Sequence, residues 1–357
     1  MSVKTFAAID VGSFELTMKI FDLSGKNTMR EIDCIRQRID LGSDTYAHGK
    51  ISNEKIDDLC HTLKEFAQIM ESYKVTAYKA YGTSAIRETE NTLILQDQIE
   101  QRTGIWVETL SNSEQRFLDY KSIASKGETF RRIIEEKTAI LDIGGGSIQI
   151  SLFDKDALVT TQNIRMGSLR IRERLAGIQS ETEHYEEMVE ELIWNEVSSF
   201  KKMYLKDRKI ENIMLIGDVF TDSVYQNIEE KTTKIISREN FNTWYEKIIR
   251  QSPMELAVKL GIPLENASLM YPSAVIYKCL IDMMGAEHIW IPGVHMTRGI
   301  AYEYAEQMKL LKGGHNFEND ILMAAKNIGK RYAVNRPHVQ NLEMTALAMF
   351  DATKKMH

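Results

Sequence analysis

The sequence predicts an α/β protein built of two domains, and three observations support this prediction. The chain has 357 residues, which is about two ordinary domain lengths. Apolar residues make up 43% and charged residues 27% of the chain, a composition typical of globular proteins with a substantial core. A strand–turn–strand pattern occurs twice, over residues 8–22 and 140–154, and segments with helical periodicity follow each copy. We therefore expect each domain to begin with a β-hairpin.

The two predicted hairpins are similar residue by residue. Asp10 aligns with Asp142 and Gly12 with Gly144, and the match continues without a gap through the second strand. In each copy an apolar run ends in the aspartate, small residues follow, and apolar positions then recur with period two. Chance agreement between two common hairpins is the alternative, but the length of the ungapped match favours an internal duplication.

The turn of each hairpin has the chemistry of a phosphate site. Glycines let backbone N–H groups approach an oxyanion, and an aspartate at a strand end can hold Mg²⁺ or its water ligands. Asp10 and Asp142 are therefore the candidate metal ligands. The candidate phosphate-binding residues are those of the two turns: Gly12, Ser13, Gly144, Gly145, Gly146 and Ser147. Phe14 and Glu15 add bulk and negative charge to the first turn, so the second turn is the stronger candidate.

The segment between the hairpins predicts further strands and helices. Apolar residues recur at helical spacing over 53–73, and a strand near 76–81 leads into a turn that begins a helix carrying Arg87. Arg87 could reach an anion there, or it could be a solvated arginine. A strand near 105–110 precedes Ser111 and Glu114, which have the spacing of a capping box. The capping role alone could explain Glu114.

The second half of the chain continues the same alternation. The further predicted elements are a strand near 156–165, a helix near 181–204, a strand at 212–217, helices near 239–251 and 273–285, a strand at 288–291, and helices near 298–311, 318–332 and 338–355. Four arginines lie within 165–174. They could line a path for an anion or form a solvated helix face.

Composition argues against several classes of function. The net charge of −6 argues against broad binding to nucleic acid. Cys34, Cys60 and Cys279 lie far apart and form neither a zinc motif nor a disulfide framework, which suggests a reducing compartment. Since no apolar run has the length of a signal peptide or a membrane span, we expect a cytoplasmic protein that binds no membrane.

Five segments, in this order, resemble the exopolyphosphatase/guanosine-pentaphosphate phosphohydrolase (Ppx/GppA) family. They are AIDVGS at 8–13, YGTSAIRETEN at 81–91, the segment 111–116, LDIGGGSIQISLF at 141–153 and RMGSLR at 165–170. The family belongs to the superfamily of actin, sugar kinases and heat-shock chaperones. The resemblance therefore implies two ribonuclease-H-like domains that face each other across a phosphate-binding cleft.

The resemblance also implies a domain division. Domain I covers 1–125, domain II covers 126–312, and a helical segment over 313–357 resembles the start of the HD-type domain of longer members. The familial assembly further implies a homodimer.

The mechanism implied by the resemblance is attack of water on a terminal phosphorus, with Mg²⁺ neutralising the phosphates. Asp10 and Asp142 match the family's loop aspartates, and Arg87 matches its active-site arginine. The residues 144–147 match its phosphate cradle. Polyphosphate or guanosine pentaphosphate is the implied substrate.

One departure from the family's pattern concerns the catalytic base. The family has two glutamates after the strand, and here Glu114 takes the first position and Gln115 the second, which we assign to the base. A glutamine can orient a water molecule, but it cannot hold a proton as a carboxylate does. Activity is therefore expected to be weak or lost.

Three functions follow as hypotheses. The leading one is a Mg²⁺-dependent exopolyphosphatase-type hydrolase. The second is a non-catalytic protein that binds polyphosphate or an alarmone and regulates a partner. A sugar kinase or an ATP-driven chaperone is less favoured, because no adenosine-pocket signature accompanies the phosphate turns.

Overall fold

The computed structural model describes residues 4–25, 27–175, 185–217, 219–227, 234–354 and 356. These residues form two β-sheets with helices packed around them, and a cleft lies between the sheets. The predicted α/β fold with two ribonuclease-H-like units is therefore confirmed.

The first sheet is formed by the N-terminal third of the chain. Its strands are β1 (Thr5–Val11), β2 (Glu15–Asp22), β3 (Arg30–Arg38), β4 (Ala77–Gly82) and β5 (Val107–Thr109). The spatial order is β3-β2-β1-β4-β5, with β1, β2 and β3 antiparallel and β4 and β5 parallel to β1. Because parallel strands end at the same edge of a sheet, β1, β4 and β5 direct their carboxyl ends toward one edge.

The second sheet repeats this arrangement and adds a strand. Its strands are β6 (Thr138–Ile143), β7 (Ile148–Asp154), β8 (Ala157–Ile164), β9 (Asn212–Ile216), β10 (Ile235–Ser237) and β11 (His288–Trp290). The order is β10-β11-β9-β6-β7-β8, with β9 and β11 parallel to β6. Strand β10 extends the sheet beside β11 in the antiparallel direction.

The two hairpins agree in backbone detail. The N–H of Gly12 donates to Glu15 O at 3.1 Å, and the N–H of the aligned Gly144 donates to Ser147 O at 3.0 Å. Each second strand also shifts its register at the aligned position, between residues 20 and 21 in β2 and between residues 152 and 153 in β7. The duplication predicted from the sequence is therefore present in the hydrogen-bond pattern.

The helices pack around the two sheets. They are α1 (Leu41–His48), α2 (Asn53–Ser72), α3 (Ser84–Glu88), α4 (Thr92–Thr103), α5 (Asn112–Ala124), α6 (Glu128–Ile134), α7 (Ser168–Leu175), α8 (Tyr185–Phe200), α9 (Val219–Asn227), α10 (Arg238–Ile249), α11 (Pro253–Leu260), α12 (Leu264–Met284), α13 (Met296–Gln307), α14 (Phe317–Arg331) and α15 (Arg336–Thr353). A π-helical turn, Lys201–Leu205, extends α8. In α2, the residues Ile56, Leu59 and Leu63 are buried at helical spacing, as their periodicity predicts.

Helix α5 lies between the two sheets. Leu118 packs in an apolar cluster with Phe6 of β1, whereas Ile123 packs in a second cluster with Phe153 of β7. Because two faces of α5 are buried against different sheets, its position is fixed relative to both.

Helix α13 follows the last strand of the second sheet but packs on the first sheet. Ile300 and Ala301 share an apolar cluster with Phe6 and Ala8 of β1. A Cβ atom built on Gly299 would lie 1.8 Å from the carbonyl oxygen of Leu118 in α5. Helix α13 therefore completes the core of the first sheet, although it falls within the predicted range of domain II. The division at residues 125 and 312 stays a prediction.

Ion pairs connect the two halves of the molecule, the part that contains the first sheet and the part that contains the second. Arg165 and Arg170 donate to Glu88 Oε2 at 2.6 and 2.9 Å, and Arg172 donates to Asp40 Oδ2 at 2.9 Å. The arginine-rich segment thus binds carboxylates of α3 and of the turn before α1. These three ion pairs thus lie across the boundary between the two halves.

The C-terminal helices differ in their packing. Helix α14 packs on β8, where Asn327 Nδ2 donates to Leu158 O at 3.2 Å and Arg331 Nη2 donates to Thr160 Oγ1 at 3.2 Å. Helix α15 buries no residue within the described chain. Among the described residues, no helix combines the length and apolarity needed to cross a bilayer.

The contact between α5 and α13 yields a stability prediction. Gly299→Ala should push the two helices apart, because the added methyl group would meet Leu118 O at 1.8 Å. We expect the free energy of unfolding to fall by about 1–3 kcal/mol, measured by urea denaturation. Gly314→Ala is the matched control, since no atom lies within 4 Å of its added Cβ. Equal denaturation midpoints for the two variants would contradict the close packing.

Candidate active site

The cleft between the sheets brings together most of the predicted site residues. Both aspartates at the strand ends line it, and so does Gln115. The turn residues that line it are Gly12, Ser13, Gly144, Gly145 and Ser147. Gly146, Arg87 and Glu114 are not among the lining residues. The duplicated hairpins therefore meet at one cleft, as the sequence predicts.

The two glycine turns approach each other through small residues. Ser13 Oγ lies 2.7 Å from Tyr46 Oη and 2.8 Å from Ser84 Oγ. A Cβ atom on Gly146 would lie 1.9 Å from the same Tyr46 hydroxyl. The Arg170 guanidinium stacks on the Tyr46 ring, 3.9 Å from its centroid, and Arg170 Nε donates to Gly146 O at 3.0 Å. Only glycine at position 146 permits this approach.

Three carboxyl groups meet at the floor of the cleft: Asp10 at the end of β1, Asp142 at the end of β6, and Asp119 on α5. Burial, and then the charges of Asp142 and Glu15, raise the pKa of Asp10 to about 7. Burial also raises the pKa of Asp142. Burial and the charge of Asp142, to which Asp119 is hydrogen-bonded, raise the pKa of Asp119. This carboxylate cluster therefore favours a proton or a bound cation.

The turn after β9 packs against Asp142 of the same carboxylate cluster. Gly217 has a φ of 113°, and a Cβ atom built on it would lie 2.2 Å from Asp142 Oδ1. A glycine is therefore required where the turn after β9 passes the carboxylate.

Two oxygens of the carboxylate cluster, Asp10 Oδ1 and Asp119 Oδ2, are buried without a hydrogen-bond partner. Buried carboxylate oxygens without a donor are unfavourable and fit a hard cation. Among the residues that the structure describes, no three His, Cys, Asp or Glu side chains are arranged to hold a metal by themselves. Mg²⁺ is commonly held by one or two carboxylates together with phosphate oxygens and water. The free oxygens of Asp10 and Asp119 therefore fit a Mg²⁺ ion that binds together with a phosphate. Asp142 Oδ2 accepts a hydrogen bond from Gln149 Nε2 at 3.3 Å, and its role as a metal ligand stays a prediction.

The start of α5 separates the two candidate base positions. Ser111 Oγ accepts a hydrogen bond from Glu114 N at 3.3 Å, and Glu114 Oε2 accepts one from Ser111 N at 2.8 Å, so the predicted capping box is present. These hydrogen bonds lower the pKa of the Glu114 carboxyl. The Glu114 carboxylate is thus engaged at the helix end, while Gln115 faces the cleft.

Arg87 contacts Gln115. Arg87 Nη1 donates to Leu110 O at 2.7 Å and to Gln115 Oε1 at 3.4 Å. Because the guanidinium engages the amide oxygen, the amide N–H group of Gln115 is the end that can serve as a donor in the cleft. Arg87 is a positioning residue in this geometry, and its direct contact with a phosphate stays a prediction.

One wall of the cleft carries a network of charged side chains. Arg36 Nη1 donates to Asp222 Oδ2 at 2.9 Å, and His295 Nε2 lies 2.9 Å from Asp222 Oδ1. Arg36 Nε also lies 3.7 Å from Glu15 Oε1. Burial opposes ionisation of Asp222, but its hydrogen bond with His295 and the charges of His295 and Arg36 lower its pKa to about 2. The network joins β3, α9 and the turn before α13.

Sequence reasoning missed four charged or titratable residues of the cleft: Asp119, Arg36, Asp222 and His295. The position of Asp119 carries a signal, because a residue four places after Gln115 lies on the same helix face. The other three come from separate elements, and no spacing in the sequence indicates that they meet.

Solved structures of other proteins share the fold of this chain. The crystal structure of an exopolyphosphatase from Cytophaga hutchinsonii has a TM-score of 0.76 and 19% identity, covering 87% of this chain and 100% of that one. The Ppx/GppA family member from Aquifex aeolicus has a TM-score of 0.68 and 16% identity, covering 86% and 99%. These likenesses identify the two-domain actin-like ATPase fold.

The model of the Ppx/GppA phosphatase family matches residues 20–308, and the chain therefore belongs to this family. The bifunctional 3-dehydroquinate synthase/phosphatase of Fusobacterium nucleatum is 22% identical over 310 residues, which cover 79% of this chain and 44% of that protein. Exopolyphosphatase 1 of Mycobacterium tuberculosis is 28% identical over 144 residues, which cover 40% of each chain. The chain thus spans less than half the length of these curated relatives.

The contacts of Arg87 yield a prediction for the site. Arg87→Ala should lower the melting temperature and weaken pyrophosphate binding together, because it frees both Leu110 O and Gln115. The expected loss of stability is about 1–3 kcal/mol, measured by thermal denaturation with binding followed by calorimetry. Arg102→Ala, which removes an arginine paired with Asp57 away from the cleft, is the control and should change neither quantity. Weakened binding with an unchanged melting temperature would instead place Arg87 on the ligand.

Proposed function

We propose that this protein is an exopolyphosphatase-type hydrolase that releases terminal phosphate from polyphosphate or guanosine pentaphosphate. The observation that supports this proposal is the meeting of Asp10, Asp142 and both glycine turns at one cleft in a member of the Ppx/GppA phosphatase family. Family membership supports phosphate-ester or phosphoanhydride hydrolysis, and the names of its relatives support polyphosphate as substrate.

Phosphate binding is assigned to the turn residues that follow Gly12 and Gly144. The N–H groups of these two glycines close their own turns and are therefore engaged. The backbone N–H groups of Gly145 and Ser147, and the hydroxyl of Ser147, are the donors for phosphate oxygens in the second turn. Ser13 supplies a hydroxyl from the first turn.

The carboxylate cluster requires a cation before a polyanion can approach. Asp10 and Asp142 would hold Mg²⁺, which when bound neutralises phosphate oxygens and makes the terminal phosphorus a better electrophile. Without it, three carboxyl groups would repel the phosphate chain.

Gln115 positions the attacking water. The Arg87 guanidinium fixes the amide, and an amide can hydrogen-bond a water molecule in line with the terminal phosphorus. The amide accepts no proton, so the attacking water would pass its proton to a phosphate oxygen of the substrate or to solvent water, and we expect slow turnover.

The second candidate function is a non-catalytic protein that binds polyphosphate or an alarmone. Two observations favour this function. Gln115 lies in the cleft at the base position, and the Glu114 carboxylate is engaged in the capping box. Phosphate release from long-chain polyphosphate with Mg²⁺, measured beside guanosine pentaphosphate and ATP, decides between the two functions. Binding without release would favour the regulatory protein, and preferential release from ATP would favour a kinase-like or chaperone-like activity.

Asp142→Asn tests the metal assignment. The variant should lose most Mg²⁺-dependent binding of pyrophosphate, because one ligand loses its charge. The fold should persist, since removing one of three crowded carboxylates relieves repulsion. Calorimetry with and without Mg²⁺ measures the first effect, and thermal denaturation measures the second. The exposed Asp57 provides the control variant Asp57→Asn. Unchanged Mg²⁺-dependent affinity in Asp142→Asn would remove the two-turn cleft as the binding site.

Gln115→Glu tests the base position. A carboxylate there can take the proton from water, so phosphate release should increase, with general-base assistance typically contributing ~10²–10⁴-fold. The control is Gln115→Ala, which should lower turnover because the oriented water is lost. Steady-state phosphate release from polyphosphate measures both variants. Vigorous native turnover that Gln115→Ala leaves unchanged would show that this segment is misaligned and would make Glu114 the leading candidate.

A further inference from the structure

Three basic side chains lie close together beside the cleft, on the side of the first sheet. Lys19 lies on β2, Arg298 lies in the first turn of α13, and Lys126 follows the end of α5. None of the three belongs to the site described above. We call them the basic cluster.

The basic cluster is short of negative charge. Lys19 is 8% exposed and pairs with Glu31 at 3.1 Å. Arg298 Nε donates to Ser125 Oγ at 2.7 Å. In the described part of the chain, neither Arg298 nor Lys126 has a carboxylate within 4 Å.

The electrostatics of the cluster agree with this geometry. Burial and the charge of Arg298 lower the pKa of Lys126, and Glu31 is the single carboxylate that opposes this effect. Burial lowers the pKa of Arg298 as well, again opposed by Glu31 alone. Partly buried cations without a counterion are unfavourable, so an anion bound among them would be stabilised.

Two residues of the basic cluster are near neighbours of residues that line the cleft. Thr17 lines the cleft and lies opposite Asp10 in the register of β1 and β2. Lys19 lies two residues further along β2, on the same face of the sheet. That spacing corresponds to about 7 Å along the strand. On α13, Thr297 lines the cleft and Arg298 is the next residue. A chain of phosphates that leaves the cleft on the side of β2 and the start of α13 would therefore extend toward the cluster.

We infer that Lys19, Lys126 and Arg298 form a subsite for the distal phosphates of linear polyphosphate whose terminal phosphate occupies the cleft. This inference rests on the proposed function and deepens it. The subsite consists of cationic hydrogen-bond donors, which complement the anionic oxygens of a phosphate chain. Only a chain long enough to extend beyond the cleft reaches it, so it favours long chains over short ones.

Binding of long-chain polyphosphate and of pyrophosphate, both with Mg²⁺, tests the inference by calorimetry. Lys126→Ala should weaken binding of the long chain about tenfold, the effect of losing one charge-assisted contact. Pyrophosphate affinity should stay unchanged, because two phosphates fill only the cleft. Arg298→Gln should behave in the same way, and Lys259→Ala, an exposed lysine on α11, is the control.

The melting temperature separates ligand binding from structural support. Removal of Lys126 should leave it unchanged or raise it, because like-charge repulsion with Arg298 and Lys19 is relieved. Equal long-chain affinity in the wild type and Lys126→Ala would overturn the subsite while leaving the cleft intact. Equal weakening of both ligands would overturn it too, since the cluster would then act on the cleft itself. A wild-type protein that binds neither ligand would overturn the proposed function and the subsite together.

Discussion

The crowding of Asp10, Asp119 and Asp142 is the constraint around which the cleft is organised. Carboxylates that approach within hydrogen-bonding distance in a buried place repel each other unless a proton or a cation joins them. The strong core contacts of β1, β6 and α5 hold the three groups in place despite this repulsion. The fold therefore maintains a local demand for positive charge, which is what a site for a metal-bound phosphate requires.

The duplicated hairpin explains how that crowding arises. Each copy ends its first strand in an aspartate and turns on glycine, and the two sheets present these turns to the same cleft. Helix α5 packs on both sheets and places Gln115 and Asp119 in the same cleft as the two aspartates. Gly146 and Gly217 permit close approaches, to Tyr46 and to Asp142. Repetition supplies the symmetric part of the site, and α5 supplies the asymmetric part.

This division also accounts for what the sequence could predict. The hairpins, the capping box at Ser111, the fold and the family follow from local patterns, because period-two alternation and fixed motif spacings are properties of contiguous residues. The network of Arg36, Asp222 and His295 could not be predicted in this way, since its members lie on three elements separated by most of the chain. The role of the arginines near 165–172 was equally hidden, because their partners Glu88 and Asp40 are set by the approach of the two halves.

The arrangement of charge gives the cleft a direction. Its floor carries the three carboxyl groups, whereas Arg36 on the wall and the basic cluster beyond it carry positive charge. Arg36 is neutralised by Asp222 and Glu15, so the unbalanced positive charge lies further out, at Arg298 and Lys126. Under the proposed function, the outer side chains would attract a polyanion and the floor would accept its terminal phosphate together with a cation. Such a gradient would order a linear substrate, because its terminal group would meet the carboxyl groups and their cation at the floor while the rest of the chain lay on fixed cations. A compact anion without a long chain gains only the first of these two interactions.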